Sequence, residues 1–153
     1  MISVNVFSEE KAWSRRLKNK NIFFQKICLA FPKKYKFPNK KISLSLLLSN
    51  NLNIKKLNKN FRGKNKATDI LSFPLNKKIK IFKRTYIGDI IISYNFVNKP
   101  KSQSLKFFKI KLIKIFIHGY LHLLGFDHGK NNDYVKMLKE EERIYQSVIS
   151  TLN

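Results

Sequence analysis

The stretch SLKFFKIKLIKIFIHGYLHLLGFDH, residues 104–128, decides how this chain folds and where its chemistry sits. From Ser104 to Leu124 it has the length and apolar content of a buried helix, and Gly125 is the residue that stops it. All three histidines of the chain, His118, His122 and His128, fall in its last eleven residues. His118 and His122 are spaced i, i+4, so their imidazoles share one face of the helix, one turn apart, and can point at one ion. The turn through Phe126 and Asp127 can bring His128 back as a third ligand. Three nitrogens with a fourth position open to water make the donor set of a catalytic zinc site, and imidazole suits zinc. One zinc per chain is expected. Asp127 either orients a ligand or shapes the turn.

Outward from this helix, the chain alternates strands and helices. Downstream, Asp133 opens an amphipathic helix that runs to about Ile149. Upstream, Tyr86–Ser93 and Ile70–Phe73 are short apolar segments, the latter stopped by Pro74, and a lysine-rich turn or hairpin around Lys77–Arg84 separates them. Asn50 or Asn51 can cap a helix reaching about Phe61, with Gly63 as its end. Ile42–Ser49 suits a strand, and Pro32 and Pro38 break the chain before it. Glu9–Ala30 carries helical spacing through Trp13, Leu17, Phe23, Phe24, Ile27 and Ala30, after a first strand at Ile2–Phe7. This order predicts an α+β fold: a small mixed sheet of about four strands flanked by helices, with the metal-binding helix near the C-terminus. A chain of 153 residues can bury a core of its own, so residues 1–153 are read as a single domain.

Composition limits the partners. Cys28 is the only cysteine, which excludes an internal disulfide and a CxxC metal site and fits a reducing compartment. The start MISVNVFSEEKAW lacks the basic and apolar regions of a signal peptide, and the apolar runs Ile42–Leu48 and Ile110–Ile117 fall far short of the ~20 residues that cross a bilayer. A cytoplasmic protein with no membrane association is expected. The formal charge of +23 permits binding to a polyanion such as RNA. It does not establish it, because lysine outnumbers arginine 27 to 5 and Asn, Ile and Phe are also abundant, as an AT-rich genome would impose.

The spacing H-x-x-x-H-x-x-G-x-x-H is shared with metzincin peptidases, in which the residue after the first histidine is a glutamate that activates water. Here that residue is Gly119, so the usual proteolytic base is absent. Glycine inside a helix costs about 1 kcal/mol relative to alanine, so Gly119 points either to close helix packing or to something approaching the backbone beside the metal.

HGYLHLLGFDH resembles the signature of the YbeY family, endoribonucleases of bacteria and organelles that act in ribosomal RNA maturation. Two further segments agree in the same order: Leu57-Asn58-Lys59-Asn60-Phe61-Arg62-Gly63-Lys64, running on to Thr68-Asp69-Ile70-Leu71-Ser72-Phe73-Pro74, and Gly88-Asp89-Ile90-Ile91-Ile92-Ser93. Met137 with Glu141 and Glu142 fits the acidic final helix of that family, while Asn98–Lys114 departs from it in lacking acidic residues. The resemblance implies zinc on His118, His122 and His128, and a basic groove in which Arg62 faces the metal as a catalytic and RNA-binding residue. Lys64 is implied as a second RNA contact, and the partner as a ribosomal RNA precursor or ribosomal subunit. Thr68, Asp69 and Ser72 are expected to fix strand and loop geometry. The expected function is a single-strand-specific, zinc-dependent endoribonuclease in rRNA processing, with either water or the RNA 2′-hydroxyl as nucleophile. Two other readings stand beside it: a zinc metallopeptidase, and a non-catalytic RNA- or ribosome-binding protein with a structural zinc.

Overall fold

In a computed structural model of residues 1–153, four strands form one mixed sheet: β1 (Ile2–Ser8), β2 (Lys41–Ser49), β3 (Ile70–Pro74) and β4 (Arg84–Ser93). Their order is β1-β2-β4-β3, with β1/β2 and β2/β4 parallel and β3/β4 antiparallel. The helices are α1 (Trp13–Arg16), α2 (Lys20–Leu29), α3 (Lys33–Lys36), α4 (Asn51–Arg62), α5 (Tyr94–Val97), α6 (Leu105–Leu123) and α7 (Asn131–Leu152). The α+β class, the small mixed sheet and the histidine-bearing helix near the C-terminus are as the sequence indicates. No helix is long and apolar enough to cross a membrane.

Alternation along the strands assigns the two faces of the sheet. In β2, Ile42, Leu44, Leu46 and Leu48 are buried on one face, where they join Ile90 and Ile92 of β4 and the apolar sides of α2, α6 and α7. That core contains 28 buried residues, against three under α4 on the opposite face, namely Ile54, Leu71 and Ile91. The imbalance means that removal of apolar surface from water, the dominant stabilising term, acts mainly between the sheet and α6. The histidine helix is therefore fixed within the larger of the two cores. Midway along α7, Tyr35 of α3 donates its hydroxyl to the buried Glu140 carboxylate, which also pairs with Lys34 and Arg143. The Tyr35 hydrogen bond holds Glu140 below the usual carboxylate range, against the opposing effect of burial.

The segment Glu9–Ala30 is not one helix. The chain leaves helical geometry at Leu17 (φ −127°, ψ 105°), and the side chain of Asn19 accepts a hydrogen bond from the Ile22 amide to start α2 afresh. Trp13 is fully buried and donates its indole N–H to the Ser49 carbonyl at 2.9 Å, so burying this one ring anchors α1 separately. Capping chemistry and a buried tryptophan outweigh the apolar periodicity. Two single-turn helices, α3 and α5, also arise where the sequence signals no helix.

Two glycines set the distance between layers. The β2/β4 register shifts between Ser43 and Ser45, opposite Ile87 and Gly88, and Gly88 adopts φ +137°. A Cβ there would lie 2.2 Å from the Phe73 carbonyl oxygen of β3. Gly88→Ala is therefore expected to cost about 2–4 kcal/mol, combining backbone strain with an overpacked contact that backbone cannot relieve. Urea unfolding measures this, and a loss below about 0.5 kcal/mol would mean that the β3/β4 pair can move apart. Gly119 in α6 faces the same strand: an added Cβ would meet Ile70 Cδ1 at 2.6 Å and Ser72 Oγ at 3.1 Å. Close packing of α6 on β3 thus accounts for the glycine within the helix.

Candidate metal centre and groove

The end of α6 builds the site through its cap. Gly125 takes φ +93°, which lets its N–H reach the His122 carbonyl at 3.0 Å and the Phe126 N–H reach the Leu121 carbonyl at 3.1 Å. These two bonds form a Schellman closure, which a β-carbon at the left-handed position would oppose. The reversal turns the Phe126 carbonyl back toward the helix, where it lies 2.9 Å from His122 Nδ1. Beyond it, the His128 amide donates to Asp127 Oδ1 at 2.7 Å. Asp127 thereby shapes the turn that returns His128, the second of the two roles its position allows.

One ligand atom from each of His118, His122 and His128 lies within 4.8 Å of the others. The ring centroids are 4.6 Å (His118–His122), 4.9 Å (His122–His128) and 5.4 Å (His118–His128) apart. The outer nitrogens of the first two rings are both engaged: His118 Nδ1 lies 2.5 Å from Glu141 Oε1, and His122 Nδ1 faces the Phe126 carbonyl. An Nδ1 that donates leaves the neutral imidazole lone pair on Nε2. The two Nε2 atoms face each other at 3.0 Å, so two lone pairs converge where only a cation or a shared proton can stabilise them. A tetrahedral zinc with nitrogens at about 2.0–2.1 Å would space its ligands about 3.3 Å apart, so the donor set and its spacing fit such an ion. Burial lowers the His122 pKa, helped by the neighbouring His118 and His128, and this keeps its lone pair free at neutral pH.

Around the triad lies a groove of about 700 Å³, lined by the three histidines together with Arg62, Thr68, Asp69, Ile70, Ser72, Pro74, Lys77 and the turn residues of Gly125–Asp127. Strand alternation explains the wall: Ile70, Ser72 and Pro74 of β3 face α6 and the groove, whereas Leu71 and Phe73 face α4. Arg62 is the last residue of α4, which is closed by Gly63 at φ +67°. Its Nη2 donates to the Ser72 carbonyl at 3.1 Å, and its guanidinium carbon lies 5.9 Å from the centre of the Phe73 ring. These contacts hold a planar cation across the strand edge, at the mouth of the groove that contains the histidines. Ser72 Oγ in turn reaches the Gly119 carbonyl at 3.4 Å, tying strand to helix beside His118. Asp69 accepts from its own neighbour Thr68 and from the Ile70 amide, a local role in loop geometry.

The structure therefore brings Arg62 and the three histidines together. Lys64 is exposed on the loop after Gly63 and does not line the groove, while Lys77 does. Lys77 is one of many similar lysines in sequence, and no local signal marks it. Glu141 is the other residue whose place the sequence does not specify: it lies 23 positions from the histidine it contacts.

The chain matches the family model described as Endoribonuclease YbeY over residues 6–149. It is 58% identical over 148 residues to an Endoribonuclease YbeY of Pelagibacter ubique, covering 97% of both chains. It is 34% identical over 141 residues to the Neorickettsia sennetsu protein of the same name, covering 89% of this chain and 90% of the other. A Persephonella marina protein of that name is 32% identical over 110 residues, or 71% and 72% of the two chains. Among solved structures, a solution structure of a Thermotoga maritima protein superposes with a TM-score of 0.55 at 24% identity, spanning 97% of this chain and 89% of that one. That likeness concerns the fold.

Proposed function

The chain belongs to the YbeY endoribonuclease family, and from that premise we propose that it is a zinc-dependent endoribonuclease that cuts single-stranded RNA. One observation carries the reading: the converging imidazole nitrogens of His118, His122 and His128 and the guanidinium of Arg62 occupy one groove. In this reading the three histidines hold one zinc ion and leave a side of it open to the groove. A bound ion would supply Lewis-acid chemistry for polarising a phosphoryl oxygen and activating water. Arg62 offers a bidentate fork to the scissile phosphate and stabilises the charge that develops on its oxygens. Its hydrogen bond to the Ser72 carbonyl means that little reorganisation is needed when the phosphate arrives. Lys77 adds a second cation on the groove wall, and Lys64 contacts the RNA backbone farther along the strand. The proposed substrates are ribosomal RNA precursors, alone or on a ribosomal subunit, met in the cytoplasm.

The wide, polar groove suits a flexible single strand, which can turn its backbone toward the metal, better than a duplex whose phosphates are held in register. Gly119 occupies the position at which a metallopeptidase carries its glutamate, and a side chain there would have to displace Ile70 and Ser72 of β3. Metal-defined protein incubated with single-stranded RNA, duplex RNA and casein is expected to cut the first, to lose that activity on chelation and to regain it with zinc. Zinc-dependent casein degradation with intact RNA would reverse the assignment.

A further inference from the structure

Taking the three histidines as the metal ligands proposed above, we infer that Glu141 is the positioning residue of the centre and couples the C-terminal helix α7 to metal binding. The carboxylate Oε1 lies 2.5 Å from His118 Nδ1, the ring nitrogen opposite the one that faces His122. A carboxylate at that point accepts the Nδ1 proton, keeps the lone pair on Nε2 and fixes the plane of the ring. It also makes the ring a stronger donor toward a cation. His122 has only a neutral carbonyl in the equivalent place, so of these two rings His118 alone has a carboxylate behind it.

The choice of partner is informative in so basic a chain. With 32 lysines and arginines available against nine acidic residues, Glu141 pairs with a histidine ring. Lys114 borders the same small cavity but sits over the Tyr145 ring, with its ammonium 4.7 Å from the ring centre. Glu142, one residue on, is exposed and accepts instead from Gln146 of its own helix. The Glu141 side chain is only 24% exposed, so solvent screens its contact with His118 weakly.

Helix α7 supplies none of the three ligands, yet Tyr134 and Met137 join His118, His128 and Glu141 around a second small cavity on the back of the triad. Glu141 is thus the polar link between metal and helix, and linkage requires that anything tightening the His118–metal bond also tighten the docking of α7.

The test compares wild type with Glu141→Ala, Glu141→Gln and the neighbouring control Glu142→Gln. Cobalt(II) titration followed by the visible d–d band, and zinc competition against a chelator, read affinity. Hydrogen exchange across residues 131–152 with and without zinc reads the docking of α7. Expected is a loss of metal affinity of about 10–100-fold for Glu141→Ala, a smaller loss for Glu141→Gln, whose amide oxygen still accepts from Nδ1, and none for Glu142→Gln. Zinc should slow exchange in α7 of wild type and not of Glu141→Ala. An affinity for Glu141→Ala within about twofold of wild type, with zinc still protecting α7, would overturn the inference and leave Glu141 as a helix-docking contact. If Glu141→Ala fails to fold, Glu141→Leu, which fills the space without an acceptor for Nδ1, decides by the same criterion. A wild-type cobalt band that His118→Ala leaves intact would instead sink the metal assignment, and this inference with it.

Discussion

Replacing His118, His122 or His128 with alanine is expected to leave a protein that contains no stoichiometric zinc and cuts no RNA, whereas wild type should retain about one zinc per chain. Each ring supplies one of three nitrogens, and no further histidine or cysteine ligand can compensate, because His118, His122 and His128 are the only histidines and Cys28 is buried among apolar residues. Burial pushes the Cys28 thiol well above its ordinary pKa, so it offers no thiolate. Metal analysis of the purified variants checks the loss. Three variants that all keep full occupancy would remove the site assignment.

The same experiment carries a dependence on acidity. Only neutral imidazoles ligate, so protons compete with the ion and zinc affinity is expected to fall as pH drops. Burial lowers the His122 pKa, so this ring resists protonation to lower pH than an ordinary histidine and its lone pair is fully available at pH 7. An ion that binds only the folded state, at a free concentration of about 100 times Kd, should add about 2.7 kcal/mol to wild-type stability and nothing to the alanine variants.

Arg62→Ala is expected to lose about a hundredfold in cleavage rate, on the order of 3 kcal/mol of transition-state stabilisation, with zinc content and fold unchanged. If RNA affinity came only from the excess of lysine, removing one of 32 basic residues would weaken binding slightly and reduce the salt dependence by about one counterion. Arg62 differs from the other cations in being pinned: its Nη2 donates to the Ser72 carbonyl, and its remaining donors are free at the mouth of the histidine groove. Being exposed at the end of α4, it can be removed without opening a cavity in the core. Arg62→Lys should restore only part of the rate, since a point charge cannot reproduce the planar fork. The control is Lys18→Ala, an exposed lysine outside the groove lining. Equal and small losses of cleavage in both alanine variants would make Arg62 one more solvated charge.

Where sequence reading succeeds in this protein, a local cause suffices. The helix over Leu105–Leu123, its glycine stop, the cap at Asn50 and the strand alternation of Ile42–Ser49 all depend on residues within a turn or two of one another. It fails over Glu9–Ala30, where apolar spacing suggests one helix but a buried Trp13 bonded to Ser49, 36 residues away, divides it in two. The single-turn helices α3 and α5 lie below the length at which any periodicity can be read.

The candidate site divides in the same way. The sequence by itself determined the three-histidine set, because i, i+4 spacing and a left-handed glycine after the helix place His118, His122 and His128 together by chain geometry alone. It also carried the motif around Arg62, though as a resemblance and without a physical reason for that residue to share a groove with the histidines. Only the tertiary structure supplied the reason: β3 runs antiparallel along β4 at the sheet edge, which sets Ser72 between the end of α4 and the face of α6. It decided that Gly119 serves close packing on β3, that Lys77 rather than Lys64 lines the groove, and that Glu141 backs His118. Each of these depends on which distant segments share the buried faces of the sheet, and that pairing is set by the combined packing of the whole core, which no short stretch of sequence encodes.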